Sequence, residues 1–580
     1  MKYLKLQKIE IVEYLIYIIF IFSTLSTYLL SELYFYVPNG VDWITHSKYL
    51  SYFHYASEST HTSYGLIYYF IVALLLFLRK GEVSNLNAVN YINSNIQTAN
   101  FLLYLIGILG FYFLLKSYNY TKRSILISLT LLNFLIPIFI MRSILKPEIF
   151  AFCLLPWIIL GLDKYFKSIS IKNFLFVVAP LSIALTIKGS ITGMLILFFL
   201  IKYFKYLKNN FKTHFFCFII LILSFSLISY ESNKINNYSI LEHNLSQESD
   251  KYNNRAPLSF VYNLHKWDFY YNPEYPYHND SLIGITLLDT FGDYFNVFID
   301  YDEHLFIYNK EVNFTANFFD KNGFIYGQYL TNYASILFTL LFYGLGLFFS
   351  FKEKNFLAFY LAPLIGIFIL ILNIFGFPFN HFDPNKGDTM KSNYYSFLIG
   401  VAFIFIFVKI FSKINLINIV LFLILVSTFF LSLGFPKTEN SQMDSYLEQK
   451  IYLSPICEVA SLFIGNVDFN NCHNKVNKIC KYNIYSNDAQ NILSPEKTNL
   501  QINEDNPVLF LDKDNKKIKA NSYEECSELI KKGNKLYNPT FNKLRLLPPI
   551  NLIYLLITVG YIFNTLLGYL NRNYLNNKKY

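Results

Sequence analysis

The stretch ANFLLYLIGILGFYFLLK, residues 99–116, is apolar along nearly its whole length and ends on a lysine. As an α-helix it would be about 27 Å long, which approaches the ~30 Å hydrocarbon thickness of a bilayer. Comparable runs recur along the 580-residue chain, which is 54% hydrophobic and only 15% charged. A soluble domain carries about 25% charged residues. The sequence therefore predicts an all-α polytopic membrane protein.

We predict about twelve transmembrane helices from these runs. The first is expected to be a retained helix rather than a signal peptide, because no small-residue cleavage site follows it. The crossings lie near residues 10–31, 99–116, 123–141, 148–163, 173–187, 190–206, 214–230, 333–350, 355–374, 392–411, 415–433 and 547–569.

The run Tyr64–Leu78 is too short for a full crossing, since its 15 residues span roughly 22 Å as a helix. If it forms a membrane-dipping helix, the Lys- and Arg-rich segments between crossings all share the side of the basic N-terminus. Basic segments favour the cytoplasm, so both chain ends are predicted to be cytoplasmic. The same lysines account for the formal charge of +10, and no nucleic-acid partner is expected.

On this topology the chain divides into three parts. Residues 1–436 form the membrane module, residues 437–546 a small extracytoplasmic α+β domain, and residues 547–580 the last transmembrane helix with a basic cytoplasmic tail. The unusual polar clusters gather on the outer side, in loops 32–98, 142–148, 231–332 and 378–392.

Local signals in the extracytoplasmic domain predict both a strand and a helix. Pro507–Asp512 is typical of a strand, and Asp512–Lys516 of a turn. A helix running to Lys532 should follow, with Asn521 or Ser522 as its cap.

The same domain holds four of the six cysteines. In a non-cytoplasmic domain they favour one or two disulfides of undetermined pairing. A zinc site is the alternative, although no Cys-x-x-Cys pair is present. The four are Cys457, Cys472, Cys480 and Cys526.

The first outer loop contains PNGVDWITHSKYLSYFHYASESTHTSY, residues 38–64. Asp42 and His46 are four residues apart, so they could share one face of a helical turn. A carboxylate in this position could act as a general base. The alternative is a solvated loop whose charges have no function.

The second outer turn, MRSILKPEIF, holds Arg142, Lys146 and Glu148. Arg and Lys at a helix end commonly anchor it at the lipid headgroups. A carboxylate gains nothing there, so Glu148 favours a functional site with two phosphate-binding cations beside it.

Two later outer segments carry further candidate substrate contacts. In NHFDPNKGDTMKSNYY, residues 380–395, the lysines oppose the positive-inside trend, and lysine is a common phosphate ligand. In LLDTFGDYFNVF, residues 287–298, two carboxylates four residues apart would share one helical face, and the aromatic residues beside them suit an interfacial helix. Upstream, residues 265–280 (HKWDFYYNPEYPYHND) mix aromatic and polar side chains, as sugar-binding surfaces often do. An interfacial aromatic belt is the alternative for the tyrosines of residues 380–395. A wet loop lying over the membrane is the alternative for the long outer stretch. The candidates are Lys386, Lys391, Tyr394, Asp289 and Asp293.

In their order and sidedness these motifs resemble the integral-membrane glycosyltransferases of the GT-C class, which use sugars linked to polyprenyl phosphate. A lone Asp42 stands where many relatives have two adjacent acids, and the cysteine-bearing domain has no counterpart. The resemblance covers about residues 10–435 and rests on Asp42 with His46, TSYGLIYYF (62–70), KPE (146–148) and KSNYY (391–395).

The resemblance implies inverting sugar transfer from a polyprenyl-phosphate donor to a glycan, lipid or protein acceptor. The site would face outward from a multi-pass protein of a bacterial plasma membrane, among membrane lipids. Asp42 would be the general base, with His46 and Glu148 as further catalytic residues. Lys391, with Arg142 or Lys146, would neutralise the leaving phosphate. No cofactor is expected, and a divalent metal is not indicated.

Two other functions stay open at the level of sequence. A transporter or flippase for lipid-linked glycans would need polar groups within the membrane helices, for which Lys188 is the main candidate. A scaffold or polymerase-like protein would bind carbohydrate through its outer domain. An enzyme requires loops 32–98, 142–148 and 378–392 to converge on one cavity.

Overall fold

A computed structural model describes residues 2–33, 46, 48–50, 52–55, 58–60, 64–79, 88–208, 210–236, 290–291, 321–352, 395–412, 415–433, 508–512, 516–532, 534–536 and 543–577. This part of the chain is mostly helical. The first helices are α1 (Lys2–Leu33), α2 (Leu66–Arg79), α3 (Ala88–Ser117), α4 (Lys122–Leu132), α5 (Ile136–Ser143), α6 (Glu148–Lys167) and α7 (Ile171–Thr186). They are followed by α8 (Gly189–Tyr203), α9 (Phe211–Asn236), α10 (Lys321–Lys352), α11 (Ser396–Ile410) and α12 (Leu416–Leu433). The C-terminal elements are β1 (Val508–Leu511), β2 (Lys517–Ala520), α13 (Tyr523–Lys531), β3 (Lys535–Leu536) and α14 (Pro549–Asn577).

Apolar helices confirm the predicted membrane class. Within the described ranges, seven helices are long and apolar enough to cross a bilayer, and counting α4 with α5 as one span makes eight. Helices α7 and α11 are apolar but shorter, with 16 and 15 residues. The predicted crossing near 355–374 lies outside the described residues. Helix α2 has 14 residues, about 21 Å, which agrees with the short run expected there.

The segment predicted as one crossing near 123–141 is instead two helices, α4 and α5, whose axes differ by 65°. Asn133 lies at the break. Its side-chain oxygen accepts from Tyr104 at 2.8 Å, and its amide donates to two hydroxyl groups of α1 at 3.0 Å each. Pro137, at the start of α5, has no N–H with which to continue the hydrogen-bond ladder of α4. Buried polar side chains make such a break tolerable inside a membrane.

Helix α6 lies at the centre of the bundle and is buried from Glu148 to Leu162. Helix α3 packs closely on it at Gly110, because a Cβ there would lie 2.7 Å from Pro156 and 2.8 Å from the Trp157 ring nitrogen. Helix α14 packs on the same helix, where Tyr561 donates to Trp157 O at 2.8 Å. The last helix is therefore part of the same bundle as the first ones.

One end of the bundle, here called the lysine-rich end, is organised by Asp163 near the end of α6. Asp163 accepts hydrogen bonds from Tyr118 and Tyr203 and pairs with Lys202, whose Nζ lies 3.4 Å from Oδ1. The C-terminal ends of α3, α6 and α8 meet here. This is expected if consecutive membrane crossings alternate in direction. Further lysines at this end lie over aromatic rings, namely Lys122, Lys164, Lys205 and Lys409.

The C-terminal strands form an antiparallel sheet in the order β2-β1-β3. Strand β1 confirms the strand predicted at Pro507–Asp512. The helix cap is also confirmed, because Ser522 Oγ accepts from the Glu525 N–H at 3.2 Å while Glu525 Oε2 accepts from the Asn521 N–H at 2.7 Å. This reciprocal pair is a capping box.

Cys526 is disulfide-bonded, which confirms the disulfide prediction for this residue and removes it from any zinc site. Its partner lies outside the described residues. Cys153 and Cys217, which lie in apolar runs, form no disulfide and are buried.

Candidate functional site

The first outer loop and the turn between α5 and α6 meet at the end of the bundle opposite the lysine-rich end. The sequence predicted an outer turn at residues 142–148, yet all seven residues are buried. Glu148 begins α6 and is only 1% exposed. A carboxylate is favoured at this position because it faces the positive end of the helix dipole.

Lys188, between α7 and α8, pairs with Glu148. Its Nζ lies 3.0 Å from Glu148 Oε1, and both side chains are largely buried. The second carboxylate oxygen, Oε2, is buried and has no hydrogen-bond partner within the described structure. A buried oxygen without a donor is costly, so it marks a point at which a further donor can bind.

Gly65 brings the first loop onto Lys188. The Gly65 N–H donates to Ile187 O at 3.0 Å, and a Cβ at this position would lie 2.7 Å from Thr186 O. Tyr64 is consequently placed beside Lys188, whose ammonium lies 5.4 Å from the ring centroid. This cation–π contact joins the loop to the ion pair.

His46 lies on the other side of Tyr64. Their rings stack with centroids 5.3 Å apart, and His46 Nδ1 is hydrogen-bonded to the Tyr69 hydroxyl. Tyr49 stacks on Tyr69 at 4.0 Å, while its hydroxyl accepts from the Tyr64 N–H and donates to Tyr64 O. The imidazole, only 2% exposed, is thereby held in one orientation. We call Glu148, Lys188, Tyr64, His46 and Tyr69 the Glu148 cluster.

Asn100 of α3 connects the two sides of the cluster. Its amide donates to the carbonyls of Arg142 and Ile144 at 3.0 and 2.8 Å, and its side-chain oxygen accepts from Tyr68 at 2.9 Å. Tyr68 precedes Tyr69 on α2. One buried side chain therefore orients both the turn that leads to Glu148 and the helix that binds His46.

Arg142 and Lys146, the predicted phosphate ligands of this turn, are each 3% exposed. The Arg142 guanidinium lies 4.3 Å from the Tyr104 ring centroid and makes two long hydrogen bonds, to Thr27 Oγ1 at 3.3 Å and Asn133 O at 3.4 Å. Its Nε has no partner in the described part of the chain, where no carboxylate forms an ion pair with it either. We call this group the Arg142 seam: Ser23, Thr24, Thr27, Asn133 and Arg142.

The remaining predicted site residues lie outside the described residues, so the full convergence of the three outer loops stays a prediction. Described parts of loops 32–98 and 142–148 do meet, whereas loop 378–392 is not described. Among the described side chains, no group of three or more His, Cys, Asp or Glu is placed to hold a metal ion. The undescribed site residues are Asp42, Asp289, Asp293, Lys386, Lys391 and Tyr394.

Sequence reasoning missed the role of Lys188 beside Glu148. From the sequence, this lysine is a candidate only for a transporter. The available signal was sidedness, because the predicted topology placed the lysine and the acid at the same face. Their pairing across 40 residues of chain follows from the packing of α6 against α7, which periodicity alone does not reveal.

The Glu148 cluster has the chemistry of a polar site inside an aromatic shell. A cation holds one carboxylate oxygen, and the other oxygen can accept a hydrogen bond or a proton. A fixed imidazole, that of His46, lies on the far side of the Tyr64 ring from the cation. Such an arrangement can bind and orient a hydroxyl group. Neither a known protein family, nor a curated protein, nor a solved structure matches the chain.

Proposed function

We propose that this protein is an inverting glycosyltransferase that moves a sugar from a polyprenyl-phosphate donor to a glycan, lipid or protein acceptor. One observation carries the proposal. Glu148 is buried with a single oxygen bound by Lys188, at the end of the bundle where His46 of the first outer loop also lies. An acid retained in so apolar a place needs a functional reason.

In the proposed reaction Asp42 takes the proton of the acceptor hydroxyl as this oxygen attacks the anomeric carbon and the lipid phosphate leaves. Glu148 Oε2 accepts a hydrogen bond from a sugar or acceptor hydroxyl and orients it. Lys391 and Lys146 neutralise the leaving phosphate. His46 holds the loop that carries Asp42 against α2.

We propose the predicted membrane topology together with this reaction, because the reaction needs the Glu148 cluster at the outer face. Twelve crossings, with both chain ends in the cytoplasm, place the Glu148 cluster at the outer face of a plasma membrane and the lysine-rich end inside. The α+β domain of residues 437–546 then lies outside, which suits the disulfide at Cys526. The lysines of the lysine-rich end lie at the opposite end of the bundle from Glu148, which supports this assignment.

The test measures release of polyprenyl phosphate from a panel of polyprenyl-phosphate-linked sugars by the purified full-length protein in nanodiscs. Asp42→Asn should lower turnover by at least about 10²-fold with little change in donor affinity, because the amide cannot take a proton. Glu148→Gln should lower turnover as well, since it weakens the pair with Lys188 and alters the binding oxygen. Lys391→Ala should weaken donor binding as well as turnover.

Glu58→Gln is the matched control, because Glu58 lies in the same loop and its side chain is 93% exposed. It should retain wild-type turnover. Wild-type turnover by a folded Asp42→Asn protein would exclude Asp42 as the base and make Glu148 the next acid to examine. Wild-type turnover by both Asp42→Asn and Glu148→Gln would overturn the proposed site.

The Arg142 seam favours a second function, a transporter or flippase for lipid-linked glycans. Ser23 lies ten residues beyond Glu13, which pairs with Arg123 at the lysine-rich end, so the seam is about 15 Å deep, near the middle of a ~30 Å core. Broken helices and buried charges at such depth are typical of transporters. In proteoliposomes a flippase would move a fluorescent polyprenyl-phosphate-linked sugar across the bilayer with its sugar–phosphate bond intact. A transferase would break that bond and release polyprenyl phosphate without moving the donor across.

A further inference from the structure

A groove opens between α1, α4 and α12, beside Phe411 at the end of α11, near the lysine-rich end. Its volume is about 360 Å³ and its lining is almost entirely apolar. Thr130 and Asn418 are the polar exceptions, and the Thr130 hydroxyl is bonded to Leu126 O within its own helix. The apolar lining is Leu15, Ile16, Ile19, Ile127, Phe411, Ile419, Phe422 and Leu423.

The groove lies in the half of the membrane next to the lysine-rich end. Leu15 is two residues beyond Glu13, Asn418 is in the first turn of α12, and Phe411 directly follows α11. Ile127 is five residues beyond Lys122, about 7.5 Å along α4. The mouth of the groove is thus within one or two helical turns of the charged residues.

Three cations lie within about two helical turns of the lining residues. Lys122 is exposed, with its Nζ 5.5 Å from the Tyr17 ring centroid, and Lys409 lies 5.1 Å from the Tyr120 ring centroid. Arg123 Nε is 3.4 Å from Glu13 Oε1. Cations therefore exceed carboxylates among the described side chains at this mouth. Helix α11 is held here against α4, since Ser124 Oγ donates to Val408 O at 2.6 Å.

We propose that this groove binds an anionic phospholipid of the surrounding bilayer. One acyl chain fills the apolar groove, and the phosphate lies among Lys122, Arg123 and Lys409. Basic pockets between transmembrane helices are recognised lipid headgroup sites. The apolar lining suits an acyl chain, and the excess of positive charge near it suits a phosphate group. The inference is independent of sugar transfer.

The test compares phosphatidylglycerol with phosphatidylcholine of the same acyl chains, using the full-length protein. Native mass spectrometry counts bound lipids, and thermal unfolding in detergent measures stabilisation by each lipid. Wild-type protein should retain phosphatidylglycerol preferentially. Lys122→Gln with Lys409→Gln should weaken that binding by roughly thirty-fold, since each lysine near an anionic surface contributes about five-fold. Ile127→Trp should abolish retention by filling the groove.

The control is the double variant Lys164→Gln with Lys205→Gln. These two lysines belong to the same end of the bundle, but neither lines the groove. Unfolding in phosphatidylcholine reports whether each variant folds. Equal retention of the two lipids by the wild type overturns the proposal. A preference for phosphatidylglycerol that persists in Ile127→Trp overturns it as well. Equal loss in the control pair indicates unspecific surface charge and also overturns it. A dimer that Ile127→Trp dissociates would assign the groove to a second copy instead.

Discussion

Among single residues, Arg142 is the clearest case of a buried charge whose described contacts compensate only partly for the loss of water. Removing a guanidinium from water costs several kcal/mol, and an ion pair usually offsets that cost. Here the described partners are the rings of Tyr104 and Phe139 and two long hydrogen bonds, which recover only part of it. Such a residue is retained for function more readily than for stability.

We therefore expect Arg142→Met to leave the free energy of unfolding unchanged or to raise it by up to about 2 kcal/mol, while transfer or lipid movement is lost. Thermal unfolding in detergent measures the first effect and the two functional assays measure the second. Arg142→Lys keeps the charge but loses the planar contact with Tyr104, so it should be less stable than Arg142→Met. A large loss of stability in Arg142→Met would instead assign Arg142 a structural role at the α4–α5 break.

At the element scale, the approach of α3 to α6 decides where the polar groups meet. Gly110 allows the two helices to pack closely, and the same α3 carries Asn100 to the turn before Glu148. Small residues have this function in membrane bundles, because dispersion rather than water exclusion drives helix association. Gly560 of α14 offers a comparison, since nothing lies within 4 Å of a Cβ placed there.

Gly110→Val should consequently destabilise the protein by about 1–3 kcal/mol, because the side chain would overlap Pro156 and Trp157. Gly560→Ala should be neutral or stabilise by up to about 1 kcal/mol, since alanine is the better helix former and has open space. Thermal unfolding of both variants in one detergent gives the comparison. Equal effects of the two substitutions would contradict the packing described for α3.

At the scale of the whole molecule, the segment before α14 is attached to the first outer loop. Arg545 donates its backbone N–H to Phe53 O at 2.7 Å and lies over the Tyr52 and Tyr55 rings. His54 Nδ1 donates to Lys543 O at 2.9 Å. Residues almost 500 positions apart therefore form one contact beside the candidate site.

Burial lowers the pKa of His54 from 6.5 to about 4, with the hydrogen bond to Lys543 O opposing the shift. Below pH 6.5, His54 binds a proton in the unfolded chain but stays neutral in the folded protein. The contribution of His54 to stability is therefore fully present above pH 6.5 and is lost as the pH falls toward 4. The expected loss at pH 4 is about 3 kcal/mol. His54→Asn keeps a donor near the Nδ1 position and does not titrate, so its melting temperature should depend less on pH. An equal pH dependence in both proteins would show that other groups dominate.

Much of the architecture was readable from local pattern. A helix must satisfy its own backbone in lipid, so the length and apolarity of each run were sufficient to predict membrane helices such as α3 and α6. The short α2, the strand β1 and the capping box at Ser522 likewise depend on residues close together in the sequence. The break between α4 and α5 was not foreseen, because it depends on Asn133 finding partners on α1 and α3.

Repeated entry into the membrane can be predicted from hydropathy along the chain, and so can the unusual surroundings of Glu148, Lys188 and His46. That these three form one cluster, and that Arg142 belongs to another, is evident from the folded structure alone. Hydropathy indicates, for each segment separately, whether it lies in lipid or in water. Which polar groups share a buried space depends instead on close approaches such as those at Gly65 and Gly110, where packing of distant helices sets the geometry.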